Sequence, residues 1–294
     1  VMEAVPGRAD GEPAYMIVNI IDHKVELNEP LTFQFGLQAS PIRPLPPAET
    51  AHVWQSAGCP PPDAAWWVKA RGVGVRTCQY FHWQGWKNAG WPEPIPDPER
   101  HNTMIEGVKT AHEHGVKVAL YTGWGVKRDS DAYRNFKYEL LRYPVENAGF
   151  GKDRQSAGLK GGYVDYMAWA HARLAQMYGT DGVHWDSTMN LQPCRNLQIG
   201  NGWVDKNGNM HSTYAVRATR NLLRRVYNVY NGEERPEARI NIGSGGIWCI
   251  NVYGTTYHKG EGTAMHVRKL KDAWNPLETY QAGYWARPFG LNFL

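Results

Sequence analysis

Gly179-Thr180-Asp181-Gly182-Val183-His184-Trp185-Asp186-Ser187-Thr188 decides the fold of this chain. The segment opens on a glycine, runs through a short apolar strand, and ends in an aspartate followed by two hydroxyl side chains. A strand buried on both faces does not ordinarily finish in a carboxylate. At the C-terminal end of a strand in an α/β barrel, a carboxylate stands where chemistry takes place. Side chains alternate along a strand, so Gly182, His184 and Asp186 share one face, and Val183 and Trp185 the other. If the first face looks into a barrel, Asp186 stands at its mouth with His184 one layer below.

The neighbouring segments repeat one theme. Residues 162–178 carry Met167, Ala170, Leu174 and Met177 on one side of a helix, with Gly179 as the stop. Downstream, 213–230 is a helix with Val216, Leu222, Leu223, Val226 and Tyr230 inward; it leads to a strand at 239–244 and a short one at 250–253. Upstream, 73–82 is strand-like and is followed by a long loop, 83–96, with three tryptophans and three prolines. Asp97-Pro98 then reads as N-cap and first helical position. Met104, Ile105, Val108 and Ala111 fall at helical spacing, Gly115 ends that helix, and 116–122 is the next strand. Repeated helix, glycine and apolar strand predict a parallel sheet, either barrel or doubly wound. No Gly-x-Gly-x-x-Gly follows the first strand and no phosphate loop is present, so a (β/α)8 TIM-type barrel is favoured. The long segments also all follow strands, on the active-site side of a barrel. Counted forward, 284–294 reaches only about the seventh strand of eight. The chain is therefore expected to be incomplete at its C-terminus. Residues 202–211 form a hairpin with an Asn-Gly turn, in the loop after the Asp186 strand.

Ahead of the barrel, 14–21 and 31–38 read as strands. Residues 1–45 are expected to be the end of an N-terminal β domain, a remnant of a β-sandwich. A Pro-rich linker follows at 46–71, and the barrel at 72–294.

The bulk numbers exclude several classes. The 294 residues are 42% hydrophobic, with a net charge of +4 and no dense Lys/Arg cluster, so no nucleic-acid face is expected. Apolar runs are too short for a membrane span. Four scattered cysteines, with no Cys-x-x-Cys, argue against a structural zinc site. Thirteen Trp and sixteen Tyr against seven Phe favour residues with an apolar face and a polar edge, suited to stacking on sugar rings. No leader precedes Val1; an export signal is expected to lie outside this chain, and the protein to be extracellular or periplasmic.

Several stretches taken together resemble a known group. They are Leu37-Gln38-Ala39-Ser40-Pro41, the segment 181–188, the 202–211 hairpin and Gly260-Glu261. In this order they are similar to bacterial proteins related to glycoside hydrolase family 123. The resemblance implies a β-sandwich followed by a (β/α)8 barrel acting on glycosides. Family 123 enzymes carry an adjacent Asp-Glu pair, whereas here Ser187 follows Asp186. The arrangement therefore looks more like retaining α-glycosidase barrels, with an Asp nucleophile after strand four and an acid/base after strand six.

Glycoside cleavage needs two carboxyl groups flanking one bond. Asp186 is the expected nucleophile; the alternative is a carboxylate that caps the next loop. Glu261, in the glycine-flanked loop after the 250–253 strand, is the expected acid/base, against a solvated loop glutamate. Asp165 is a weaker candidate, since a carboxylate in the first turn of a helix already has a dipole reason to be there. Trp83, Trp86, Trp124 and Tyr121 follow the first two strands and can form sugar platforms, although each alone is more often packing. His82, His184, Asn241, His258 and Lys259 complete the expected substrate-binding set, with Ser244 beside Asn241. Lys127 and Arg128 can hold an anionic sugar or be a surface pair. His184 and Asp186, with His82 or His258, form a conceivable metal set, but a hydrogen-bonded core histidine is the simpler reading. No cofactor is expected. The reading is a glycosidase with a carbohydrate substrate; the alternatives are a non-catalytic carbohydrate-binding barrel and a metal-dependent hydrolase.

Overall fold

The computed structural model describes residues 2–5, 7, 11–21, 23–28, 30, 32–33, 35–56, 63–81, 83, 91–123, 125–144, 153–186, 192–231, 238–243, 252–258 and 292–293. The chain divides into two units, Val1–Gln38 and Ala39–Leu294.

In the first unit, β1 (Met2–Val5) pairs antiparallel with β2 (Tyr15–Val18). The strand expected at 14–21 thus exists in shortened form, and its partner precedes it. Among the described residues of 31–38 there is no strand. Phe33, Phe35 and Leu37 do alternate, but all three are exposed. Alternation alone does not make a strand when no neighbour supplies the ladder.

The second unit is mixed α/β. Its sheet contains β3 (Val53–Ser56), β4 (Thr77–Tyr80), β5 (Lys117–Thr122), β8 (Gly182–Trp185), β11 (Arg239–Gly243), β12 (Thr256–His258) and β13 (Asn292–Phe293). All seven strands are parallel, and each lies beside its predecessor in the chain. A doubly wound sheet reverses its strand order at a switch point; the described strands of this one keep a single order. Two features show that it coils. Arg239 Nε on β11 donates to Thr77 Oγ1 on β4 at 3.1 Å. In a flat sheet those strands would stand three spacings, roughly 14 Å, apart. At the far edge, β13 lies against the 3-10 turn Ala48–Ala51 that leads into β3.

Between the strands run α1 (Ala64–Gly72), α2 (His101–Glu113), α3 (Asp131–Leu140), α4 (Gly162–Tyr178) and α5 (Val216–Tyr230). Local chemistry sets their ends. Asp63 accepts from Ala65 N at the start of α1, and Ser130 from Tyr133 N at the start of α3. Asp97 accepts from Glu99 N and begins the turn that enters α2. Gly179 closes α4. Outward-facing strand residues pack on the helices in two cores. Cys78, Tyr80, Val118 and Leu120 meet Trp67, Met104, Val108 and Leu174. Val183, Trp185 and Ile240 meet Met167, Leu222, Leu223 and Val226. The opposite face is more polar: Thr77, Gln79, His184 and Arg239 are buried there.

Two expectations change, and one segment holds elements that the sequence did not announce. The span 46–71, read as linker, carries the 3-10 turn, β3 and α1. The strand expected at 250–253 is β12, since Val252-Tyr253 turns and Thr255 Oγ1 bonds both Ile240 N and O, which starts the ladder at Thr256. The loop between β5 and α4 holds α3 and a small antiparallel sheet of β6 (Gly125–Lys127) and β7 (Arg154–Ser156).

Candidate active site

Asp186 follows β8 directly. Its main-chain N–H donates to Thr122 O at 2.9 Å, so the β5–β8 ladder continues to the carboxylate residue itself. The carboxylate Oδ2 accepts from Tyr121 OH at 2.7 Å. Tyr121 on β5 is the register partner of His184 on β8, so both side chains project from the same face of the sheet. Their rings stack at 5.5 Å and 19°. Phe81, just past β4, completes the layer at 4.6 Å from Tyr121 and 5.3 Å from His184. His184 is 2% exposed. The layer is therefore three rings from three successive strands, carrying one half-buried carboxylate at its edge.

The register row continues. Asn241 on β11 pairs with His184 and with Thr256 on β12, and Gly243 pairs with His258. The close fit of β8 and β11 below this row depends on Gly182, where a Cβ would come within 1.9 Å of Arg239 O.

The other end of β8 holds a second carboxylate. Asp181 is buried and accepts from Val118 N at 2.7 Å and His112 Nε2 at 2.7 Å, with Lys117 Nζ at 3.2 Å. Burial pushes its pKa up. The His112 hydrogen bond and charge, Lys117 and the Val118 N–H outweigh that and hold it below the ordinary carboxylate range. Every partner comes from the chain itself, so this carboxylate ties α2, β5 and β8 together.

Of the expected site residues, the fold brings together Asp186, Tyr121 and His184 and sets Asn241 in register with His184, while His258 lies further along β12, beside Gly243. Trp83 is a correction. It is 3% exposed, donates through Nε1 to Tyr121 O at 3.0 Å, and meets Tyr178 edge-on within the α1/α2 core. A buried indole offers no face to a sugar. Glu261, His82, Trp86, Trp124, Lys259 and Ser244 lie outside the described residues. Asp165 pairs with Arg225 Nη1 at 2.5 Å on the exposed surface between α4 and α5. Lys127 is buried in β6 and pairs with Asp129 at 2.9 Å. Among the described residues no group of three His, Cys, Asp or Glu is spaced to hold a metal ion.

Two residues were missed from sequence. Phe81 stands two positions after Gln79, so alternation already gave its face. Glu93, half-buried in the loop after β4, has a pKa raised by burial; Lys127 opposes the shift and Asp129 and Asp131 add to it. Its Trp-Pro-Glu-Pro setting carries no periodic signal that marks it out.

A carboxylate fixed at a strand end by a phenol donor can act as nucleophile, as base, or as a stabiliser of developing positive charge. No protein-family model matches the sequence, and no curated protein matches it. Solved structures with a similar fold do exist. A maltogenic α-amylase from Thermotoga neapolitana superposes with TM-score 0.57 at 10% identity, over 83% of this chain and 58% of its own. A GH36 α-galactosidase from Geobacillus stearothermophilus gives 0.49 at 14% identity, over 78% and 30%. A GH31 sulfoquinovosidase from E. rectale gives 0.48 at 14%, over 74% and 34%. All three are glycoside hydrolases. At such identity the likeness speaks of fold alone. The chain spans between 30% and 58% of the length of these three structures.

Proposed function

We propose that the chain carries the catalytic barrel of an exported bacterial glycoside hydrolase that cleaves oligo- or polysaccharides with retention. Asp186 is the nucleophile and Glu261 the acid/base. The observation that carries the reading is the Asp186 carboxylate at a parallel strand's C-terminal end, held by Tyr121 above a layer of stacked rings. The strand order supports it. β8 is fourth in the sheet and β12 sixth, and Glu261 follows β12 by three residues in sequence. The coiling of the sheet, and the approach of β13 to the turn before β3, support a barrel, as does the α-amylase likeness.

In this reading Asp186 attacks the anomeric carbon while the Glu261 carboxyl protonates the departing oxygen. Water then opens the glycosyl ester, with Glu261 as base. A carboxyl separation of about 5–5.5 Å goes with this course. The order of motifs fits the family 123-like group, and Ser187 in place of a second carboxylate favours attack by the enzyme's own aspartate over attack by a substrate acetamido group. His82, Trp86, Trp124, Asn241, His258 and Lys259 are the proposed sugar contacts; His184, 2% exposed against Phe81 and Tyr121, backs the ring layer instead.

The test is hydrolysis of a panel of nitrophenyl glycosides by wild type, Asp186→Asn and Glu261→Gln. Both variants should lose about 10³-fold or more in kcat. Azide should restore turnover to Asp186→Gly and yield the glycosyl azide of opposite anomeric configuration. Hydrolysis undiminished in both variants would sink the assignment.

A further inference from the structure

We propose that the Trp203–His211 face of the hairpin after β8 is a platform for one pyranose ring of a polysaccharide, separate from the ring layer under Asp186. The hairpin is β9 (Trp203–Val204) paired with β10 (Met210–His211). Trp203 and His211 are direct cross-strand partners, and their rings lie 4.3 Å apart at 17°. The indole is 52% exposed. Its backing ring is fixed in turn: His211 Nε2 lies 2.9 Å from Asp205 Oδ2. Asp205 is itself clamped by Asn207 N, Asn209 N and Asn209 Nδ2. These hydrogen bonds, that of His211 first, hold its carboxyl well below the usual range. Gly208, at φ +84°, closes the turn with an N–H to Asp205 O. The base is pinned as well. Cys194 and Thr213 exchange main-chain bonds at 2.9 Å, and Gly202 N donates to Thr213 Oγ1 at 2.8 Å.

Two other described tryptophans are comparably exposed, Trp54 at 49% and Trp169 at 52%. Their neighbours meet them at 73° and 58°, so neither is laid flat on a fixed partner. Trp203 is a large apolar plane, pre-ordered at little further entropic cost on His211, which Asp205 holds, with the polar turn Asp205–Asn209 following it on the same hairpin. An apolar plane followed by a polar turn suits a ring that presents C–H bonds on one face and hydroxyls at its edge. It suits an extended apolar protein surface poorly. The hairpin lies between the end of β8 and the start of α5, so it belongs to the end of the sheet where Asp186 stands.

The inference rests on the carbohydrate reading but not on catalysis. The test is affinity electrophoresis of the full chain in gels containing soluble starch, galactomannan or xylan. Wild type should be retarded by at least one of them. Trp203→Ala should weaken that binding about tenfold or more, His211→Ala less, and Trp203→Tyr should keep part of it. Unchanged melting temperatures in His211→Ala and Trp203→Tyr guard against misfolding. Retardation equal in all variants, or absent in wild type, overturns the platform. A dimer that Trp203→Ala dissolves, without retardation, overturns it in favour of self-association. Retardation that depends on Trp203 but comes with no hydrolysis sinks the catalytic reading alone. Hydrolysis without such retardation sinks the platform alone.

Discussion

The two ends of β8 carry an aspartate each, five positions apart, and they have opposite surroundings. Asp181 sits where the chain enters the strand. A backbone N–H, a histidine and a lysine converge on it, and it is buried. Asp186 sits where the chain leaves. It is half-buried beside a phenol donor, with a layer of rings beneath. The same residue type on the same strand is used once to fasten three elements and once to present an oxygen. What differs is which end of a parallel sheet it occupies. The entry end meets the helices that return to the sheet; the exit end meets loops.

Exchanging the roles by mutation should break the comparison if it is mistaken. The largest expected effect is in turnover: Asp186→Asn should lose about 10³-fold in kcat while its melting temperature moves little, because the amide oxygen can still accept from Tyr121 OH. Next, Asp181→Ala should cost about 3 kcal/mol in urea unfolding, because it leaves a buried N–H, a histidine and a lysine without their acceptor. Folded Asp181→Ala should keep wild-type turnover; a variant as stable as wild type but inactive would reverse the assignment. Smaller still is Tyr121→Phe. It keeps the ring stack and removes one hydrogen bond to a charged group, worth about 2 kcal/mol, so kcat should fall about 30-fold with little change in stability.

The smallest effect is in pH dependence. The folded-state pKa of Asp181 is depressed, so its contribution to stability is complete above the unfolded carboxylate value of about 3.9 and fades as pH falls through the folded one. Unfolding free energy should therefore drop more steeply below about pH 4 in wild type than in Asp181→Asn. Parallel acid limbs in the two proteins would remove Asp181 from the fastening role.

Much of this was legible in sequence where local chemistry and tertiary structure agree. The Gly179 stop, the 162–178 helix and the alternation of Val183, His184 and Trp185 all carry signals that need no distant partner, whereas Asp97 caps only the turn before α2, whose first residue is His101 rather than Pro98. The misses are of the other kind. β3 is four residues long and gains its identity from β4, so no periodicity announced it. In α3 only Leu140 is buried, which leaves no apolar stripe to read. Trp83 resembled a loop aromatic until the fold put it under Tyr178. Asp186 was legible as a strand-end carboxylate, whereas its phenol donor depends on the β5–β8 register, which pairs Tyr121 with His184 across a long stretch of chain.

The unbroken order of the strands has a consequence for how such a protein can change. Two of the turns that return to the sheet are short: α2 ends at Glu113 and β5 starts at Lys117, and α4 ends at Tyr178 before Gly182. Segments that leave it are long, and the one after β8 holds a whole hairpin. One end of the sheet is thus a foundation and the other a crown. A crown segment such as 187–215 can be lengthened, trimmed or exchanged to suit another ligand while the foundation goes on folding as before.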